Sequence, residues 1–173
     1  FGSGVGTEPF ELPPGVAVRV DAGEKLLLNL HLFNVQPSSL SGTSAIEVQL
    51  LDPSEVVHEA QAVLAGTQNI EIDPMSAGSA SGSCTIPSAK SLFAVFPHMH
   101  QLGVHMTVSV NGQTLLDAPY SFDDQRWNGL QPLVDLQAGD QVQVECDYDN
   151  TTNQTVYFGV DKEGRAPPVK VAA

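Results

Sequence analysis

Apolar residues in this chain recur at every second position, and that period decides the fold class. Val16, Val18 and Val20 alternate with smaller or charged neighbours, Ile46, Val48 and Leu50 with Glu47 and Gln49, and Ile70 and Ile72 flank Glu71. Val142, Val144 and Cys146 share one face of a segment that runs from Gln141 to Tyr148. Such alternation places one face of a strand in a core and the other in water. Met106 to Leu116 reads as a hairpin, because Asn111-Gly112 supplies the two positive-φ residues of a type I′ turn. Leu26 to Phe33 and Leu92 to Phe96 are apolar runs that read as buried strands, and Thr155 to Phe158 reads as another. The Ser/Gly-rich stretch 76–83 reads as a loop. The best helical candidate, Ser54 to Leu64, is interrupted by Val56-Val57. Twelve prolines and fifteen glycines punctuate the whole length and suit many short strands. The expectation is an all-β fold, an antiparallel β-sandwich of jelly-roll type, with no helix longer than about two turns.

A chain of 173 residues is one domain long and can bury a real core. Residues 1–159 are expected to form the sandwich, with 1–15 as a junction to a preceding domain. Residues 160–173 lack a strand pattern and form a tail. The chain begins at Phe1 without an initiator methionine or signal peptide, so it reads as a processed protein or an excised piece. Seven basic residues stand against twenty acidic ones, for a net charge of −13. That balance speaks against nucleic acid and anionic membrane surfaces as partners, since no Lys/Arg cluster exists to release counterions. No stretch approaches the ~18–20 apolar residues of a membrane-spanning helix. Glycosylation sequons begin at Asn150 and Asn153.

The sharpest chemical feature is Phe96-Pro97-His98-Met99-His100. Residues i and i+2 of an extended segment face the same side, about 7 Å apart, so both imidazoles could close on one ion. Imidazole suits copper or zinc, and an added thioether would favour copper. The same pair could equally be edge histidines of a strand. His31, between Leu30 and Leu32, reads either as a core histidine or as a ligand. His105 reads as a packing or surface residue within reach of the pair, and His58 as solvated. Asp123-Asp124 and Asp147/Asp149 lack the regular spacing of a calcium loop. No nucleophile elbow, phosphate loop or Cys-x-x-Cys occurs.

Four strings appear in order: Leu28-Asn-Leu-His31-Leu-Phe-Asn34, Phe96-Pro-His98-Met-His100-Gln-Leu-Gly103, Tyr120-Ser-Phe-Asp-Asp-Gln125-Arg126, and Gly139-Asp140 through Val144-Glu-Cys146-Asp-Tyr148. Together they resemble the carboxy-terminal domain of the copper type II, ascorbate-dependent monooxygenases, the family of peptidylglycine α-hydroxylating and dopamine β-monooxygenase. The resemblance covers about residues 10 to 159. It implies a secreted or periplasmic enzyme with two coppers on facing domains, ascorbate as reductant and a small-molecule substrate hydroxylated at a C–H bond. By motif position, His98 and His100 would be ligands of the oxygen-activating copper and His31 a ligand of the electron-relay copper. The remaining relay ligands would come from an amino-terminal copper domain absent from this chain.

The chain departs from the family pattern in ways that carry consequences. The family's methionine ligand lies in a Glu-Met-Cys segment after the strand matching Thr155 to Phe158, but Gly159 here is followed by Val-Asp-Lys-Glu-Gly-Arg. The arginine that binds a peptide carboxylate two residues before the His pair is replaced by Phe96. A glycine-extended peptide is therefore not the expected substrate. The family gives the positions of Cys84 and Cys146 separate later partners that this chain lacks. One disulfide between them is possible, and unpaired thiols are the expectation. A non-catalytic sandwich module and a simple copper-binding protein are the alternative readings.

Overall fold

The computed structural model describes residues 10–25, 37–43 and 45–158. These fall into two units, one made of Phe10 and the residues from Ala62 onward, the other of those between Glu11 and Gln61. The second unit holds a short parallel pair, β1 (Val16–Ala17) and β2 (His58–Glu59), and one 3-10 turn, Pro53–Glu55. A capping box starts that turn: the Asp52 carboxylate accepts from Ser54 N at 2.9 Å, and Asp52 N donates to Glu55 Oε2 at 3.3 Å. No other helical element occurs among the described residues.

The first unit carries the rest: β3 (Glu71–Ile72), β4 (Ser76–Thr85), β5 (Lys90–Val95), β6 (Gly103–Val110), β7 (Gln113–Pro119), β8 (Asn128–Leu136), β9 (Gln141–Asn150) and β10 (Val156–Tyr157). They pair antiparallel as a four-stranded sheet in the order β4-β9-β6-β7 and two shorter sheets, β5-β8 and β10-β3. The all-β sandwich expected from the alternation is what forms. Met106, Val108 and Val110 on β6 are buried opposite Cys146, Val144 and Val142 on β9. Ile72, Ile86, Met99 and Leu136 complete the same core. The expected hairpin is β6–β7, with Asn111 at φ 48° and Gly112 at φ 83°.

Two expectations fail. The Ser/Gly stretch is not a loop: Ser76–Thr85 is a ten-residue strand paired with β9 along its whole length. Its composition follows from what lies over it. A Cβ on Gly82 would sit 2.1 Å from the Gly66 carbonyl oxygen, and one on Gly78 would sit 2.9 Å from Ile72 Cδ1. Glycine in a strand marks such close approaches, and here the ladder hydrogen bonds hold the strand without large side chains. Conversely, Ile46, Val48 and Leu50 alternate as a strand should but pair with no described strand, and stay 64%, 55% and 85% exposed. An extended segment without a partner ladder has no backbone bonds to hold it. The expected run Leu26 to Phe33 lies outside the described residues.

One buried side chain joins three parts of this unit. Asn150, at the end of β9, is fully enclosed. Its Nδ2 donates to the carbonyls of Ile72 (3.1 Å), Asp73 (2.8 Å) and Gln154 (2.8 Å). Its Oδ1 accepts from Thr152 N at 3.1 Å and Thr152 Oγ1 at 2.7 Å. This occupies the amide, so the sequon at Asn150 is closed to glycosylation in the folded chain. Asn150→Ala removes these bonds from a fully buried position, so it should cost about 3 kcal/mol or more; urea unfolding followed by circular dichroism measures it.

Both cysteines are thiols. Cys84 faces Val142 across the β4–β9 ladder and Cys146 faces Ala80, four residues further along, roughly 13 Å away at strand rise. That exceeds disulfide reach, so a bond between them is excluded in this fold. Burial pushes the Cys146 thiol up, which keeps it protonated and slow to react. Ellman titration should find one thiol reacting readily, Cys84, and a second only on unfolding, with no mass change on reduction.

Candidate metal centre

β5 runs to Val95, and Pro97 removes the backbone N–H that would continue it. The chain then crosses to β6 through residues 96–102, and this crossing carries the histidines. It is held at several points. Gly103 N donates to His100 O at 2.8 Å, Asp149 N to Leu102 O at 2.9 Å, and the Tyr120 hydroxyl donates to the Met99 carbonyl. Burial raises the Tyr120 phenol to about 12, so it stays a protonated donor through the neutral range.

Within the crossing, Met99 turns inward and is 3% exposed. Its thioether lies over Gly103, where a Cβ would meet Met99 Cβ at 2.8 Å and Sδ at 3.0 Å. The two flanking imidazoles come together, with ring centroids 5.1 Å apart and planes at 81°. His98 is exposed, whereas His100 is half-buried, its Nε2 shut off from solvent and its ring 5.9 Å from that of Phe122.

Gln125 decides the chemistry of His98. It is 2% exposed, donates from Nε2 to the Phe122 carbonyl at 3.0 Å, and places Oε1 2.7 Å from His98 Nδ1. Because the amide nitrogen already serves Phe122, the oxygen can only accept. Nδ1 of His98 must therefore carry the proton, which leaves the Nε2 lone pair available to a metal. Aromatic rings pack alongside: Phe96 lies on Trp127 at 4.8 Å, and Trp127 stacks on Phe10 at 3.9 Å.

The pair, with His98 held in one tautomer, suits two ligands of a copper or zinc ion. Among the described residues no group of three His, Cys, Asp or Glu is placed to hold a metal. His105 is engaged elsewhere, its Nε2 3.0 Å from Asp117 and its Nδ1 3.6 Å from Asp147. Because the two carboxylates face different ring nitrogens, the three groups do not converge on a single ion. His58 lies exposed on β2, Asp124 pairs with Arg126, and His31 is outside the described residues. Gln125 was not singled out as chemically important from sequence. Its only trace there is a place in the string Tyr120 to Arg126, and its partner is 27 positions away.

No curated protein and no solved structure matches the chain. Residues 58–164 do match the family described as copper type II ascorbate-dependent monooxygenase, C-terminal domain. That span covers more than half of the sequence and contains β2 to β10, the His98/His100 pair and Gln125. The chain thus belongs to the copper type II, ascorbate-dependent monooxygenases, through their C-terminal domain.

Proposed function

We propose that this domain holds the oxygen-activating copper of a monooxygenase that hydroxylates a substrate C–H bond, with His98 and His100 as two of its ligands. The observation that carries this reading is the Gln125 contact, which holds the proton on His98 Nδ1 and leaves Nε2 free for a metal. When bound, copper supplies the one-electron chemistry that activates dioxygen, and ascorbate supplies the electrons. The chain's own residues orient and insulate. Gln125 holds the proton on Nδ1, Tyr120 anchors the backbone between the histidines, and Phe122 packs beside His100.

His31 is proposed as a ligand of a second, electron-relay copper completed by an amino-terminal domain, in an extracellular or periplasmic protein. A second reading, a copper-binding or scaffold module without turnover, is favoured by one fact: among the described residues no third His, Cys, Asp or Glu joins the pair.

Titration with Cu(II) followed by electron paramagnetic resonance should give one type II signal per chain, lost in His98→Ala and in His100→Ala. Retention of the signal in both variants would sink the assignment. Gln125→Ala should weaken copper about 10–100-fold. Long-range proton–nitrogen NMR on the metal-free protein should show His98 protonated at Nδ1 and a mixture of tautomers in that variant. These 173 residues alone should not turn over with ascorbate, because one copper site stores one electron and hydroxylation needs two. Oxygen uptake coupled to product by the isolated chain would contradict this.

A further inference from the structure

A cavity of about 420 Å³ opens beside the histidine pair, between the β4-β9-β6-β7 sheet and the β10-β3 strands. His98 and His100 belong to its wall, so a molecule inside would lie against the proposed copper ligands. The volume falls in the ~300–1,000 Å³ range of small-molecule sites.

The wall is distinctive in charge. Ile70, Leu102 and Val156 supply aliphatic surface, and Tyr148, Tyr157 and Phe158 supply aromatic surface. Apart from the histidines, polar side chains come from Thr67, Gln68 and the two tyrosines, and Cys146 adds a thiol. Burial raises the Tyr148 phenol far above neutral pH and raises the Cys146 thiol, so both stay uncharged. No Asp, Glu, Lys or Arg occurs among the described lining residues. Arg126 and Asp124 are not part of this wall, and they pair with each other. Two residues before His98, Phe96 packs on Trp127.

In the metal-free chain, a carboxylate or an ammonium entering this space would give up hydration and find no side chain of opposite charge among the described lining residues. An apolar molecule would lose only unfavourable contact with water. We propose that the cavity takes an uncharged, apolar small molecule, aliphatic or aromatic, and that this is the substrate class of the domain. The substrate role rests on the copper reading above, whereas the cavity's selectivity does not.

The test uses the metal-free 173-residue chain and the neutral fluorophore N-phenyl-1-naphthylamine, displaced in turn by toluene, benzoate and benzylammonium. Toluene should compete at least 100-fold better than either ion. Ala65→Phe, which fills the wall with a ring, should weaken the fluorophore at least tenfold with little change in thermal midpoint. Gln68→Arg, at an exposed wall position, should bring in benzoate selectively, and it serves where Ala65→Phe does not fold. Benzoate or benzylammonium binding as well as toluene would overturn the proposal, as would Gln68→Arg gaining nothing for benzoate. Copper is read separately by paramagnetic resonance. If toluene selectivity holds while Cu(II) fails to load at His98 and His100, the copper reading and the substrate role fall and the selectivity stands. If copper loads and the selectivity is absent, only the cavity proposal falls.

Discussion

The amide of Asn150 is the constraint on which the histidine-bearing end of the sandwich depends. Its nitrogen gathers carbonyls from Ile72, Asp73 and Gln154, and its oxygen takes the backbone and hydroxyl of Thr152. A single buried group thus fixes where β9 ends, where β3 runs, and how the chain turns back into β10. Those strands carry Ile72, Tyr148 and Val156, which line the space beside the histidines. Buried polar groups are tolerated when every partner is satisfied, and a group satisfied by two segments besides its own strand leaves little freedom for any of the three.

How far the sequence discloses this fold depends on whether an element is held by its side chains or by its backbone. β6 and β9 could be read directly, since Met106, Val108 and Val110 face Cys146, Val144 and Val142, and burial enforces the alternation. The β6–β7 turn was equally plain, because Asn111-Gly112 fits few other conformations. β4 was invisible for the opposite reason. Its stability resides in ladder bonds to β9, and its small side chains answer to Gly66 and Ile72 passing overhead. No local pattern encodes what crosses above a strand. Ile46 to Leu50 shows the converse, a clear alternation with no ladder partner among the described residues.

The site divides in the same manner. Spacing and resemblance pointed to His98 and His100, and the geometry brings their rings to 5.1 Å. The tautomer that leaves His98 Nε2 free depends on a residue 27 positions later whose own amide is oriented by a backbone carbonyl. Glutamine carries no chemical signature that a reader would flag, and its influence is exerted only through the fold. Tyr120 acts similarly, holding the crossing by a hydrogen bond to the Met99 carbonyl, a group that every residue possesses.

Met99 and Gly103 add a lesson about how such a site changes over descent. The thioether of Met99 occupies the space a side chain at Gly103 would need, so a change at either position meets steric resistance from the interior. On the copper reading proposed above, the histidines on either side would answer to a different demand, that of a bound metal. A descendant that gave up copper would remain under pressure to keep the methionine and glycine while the imidazoles were free to drift. The string His-Met-His-Gln-Leu-Gly would then join two separate constraints. Only the fate of its histidines, compared across diverging copies, reports whether the chemistry has been kept.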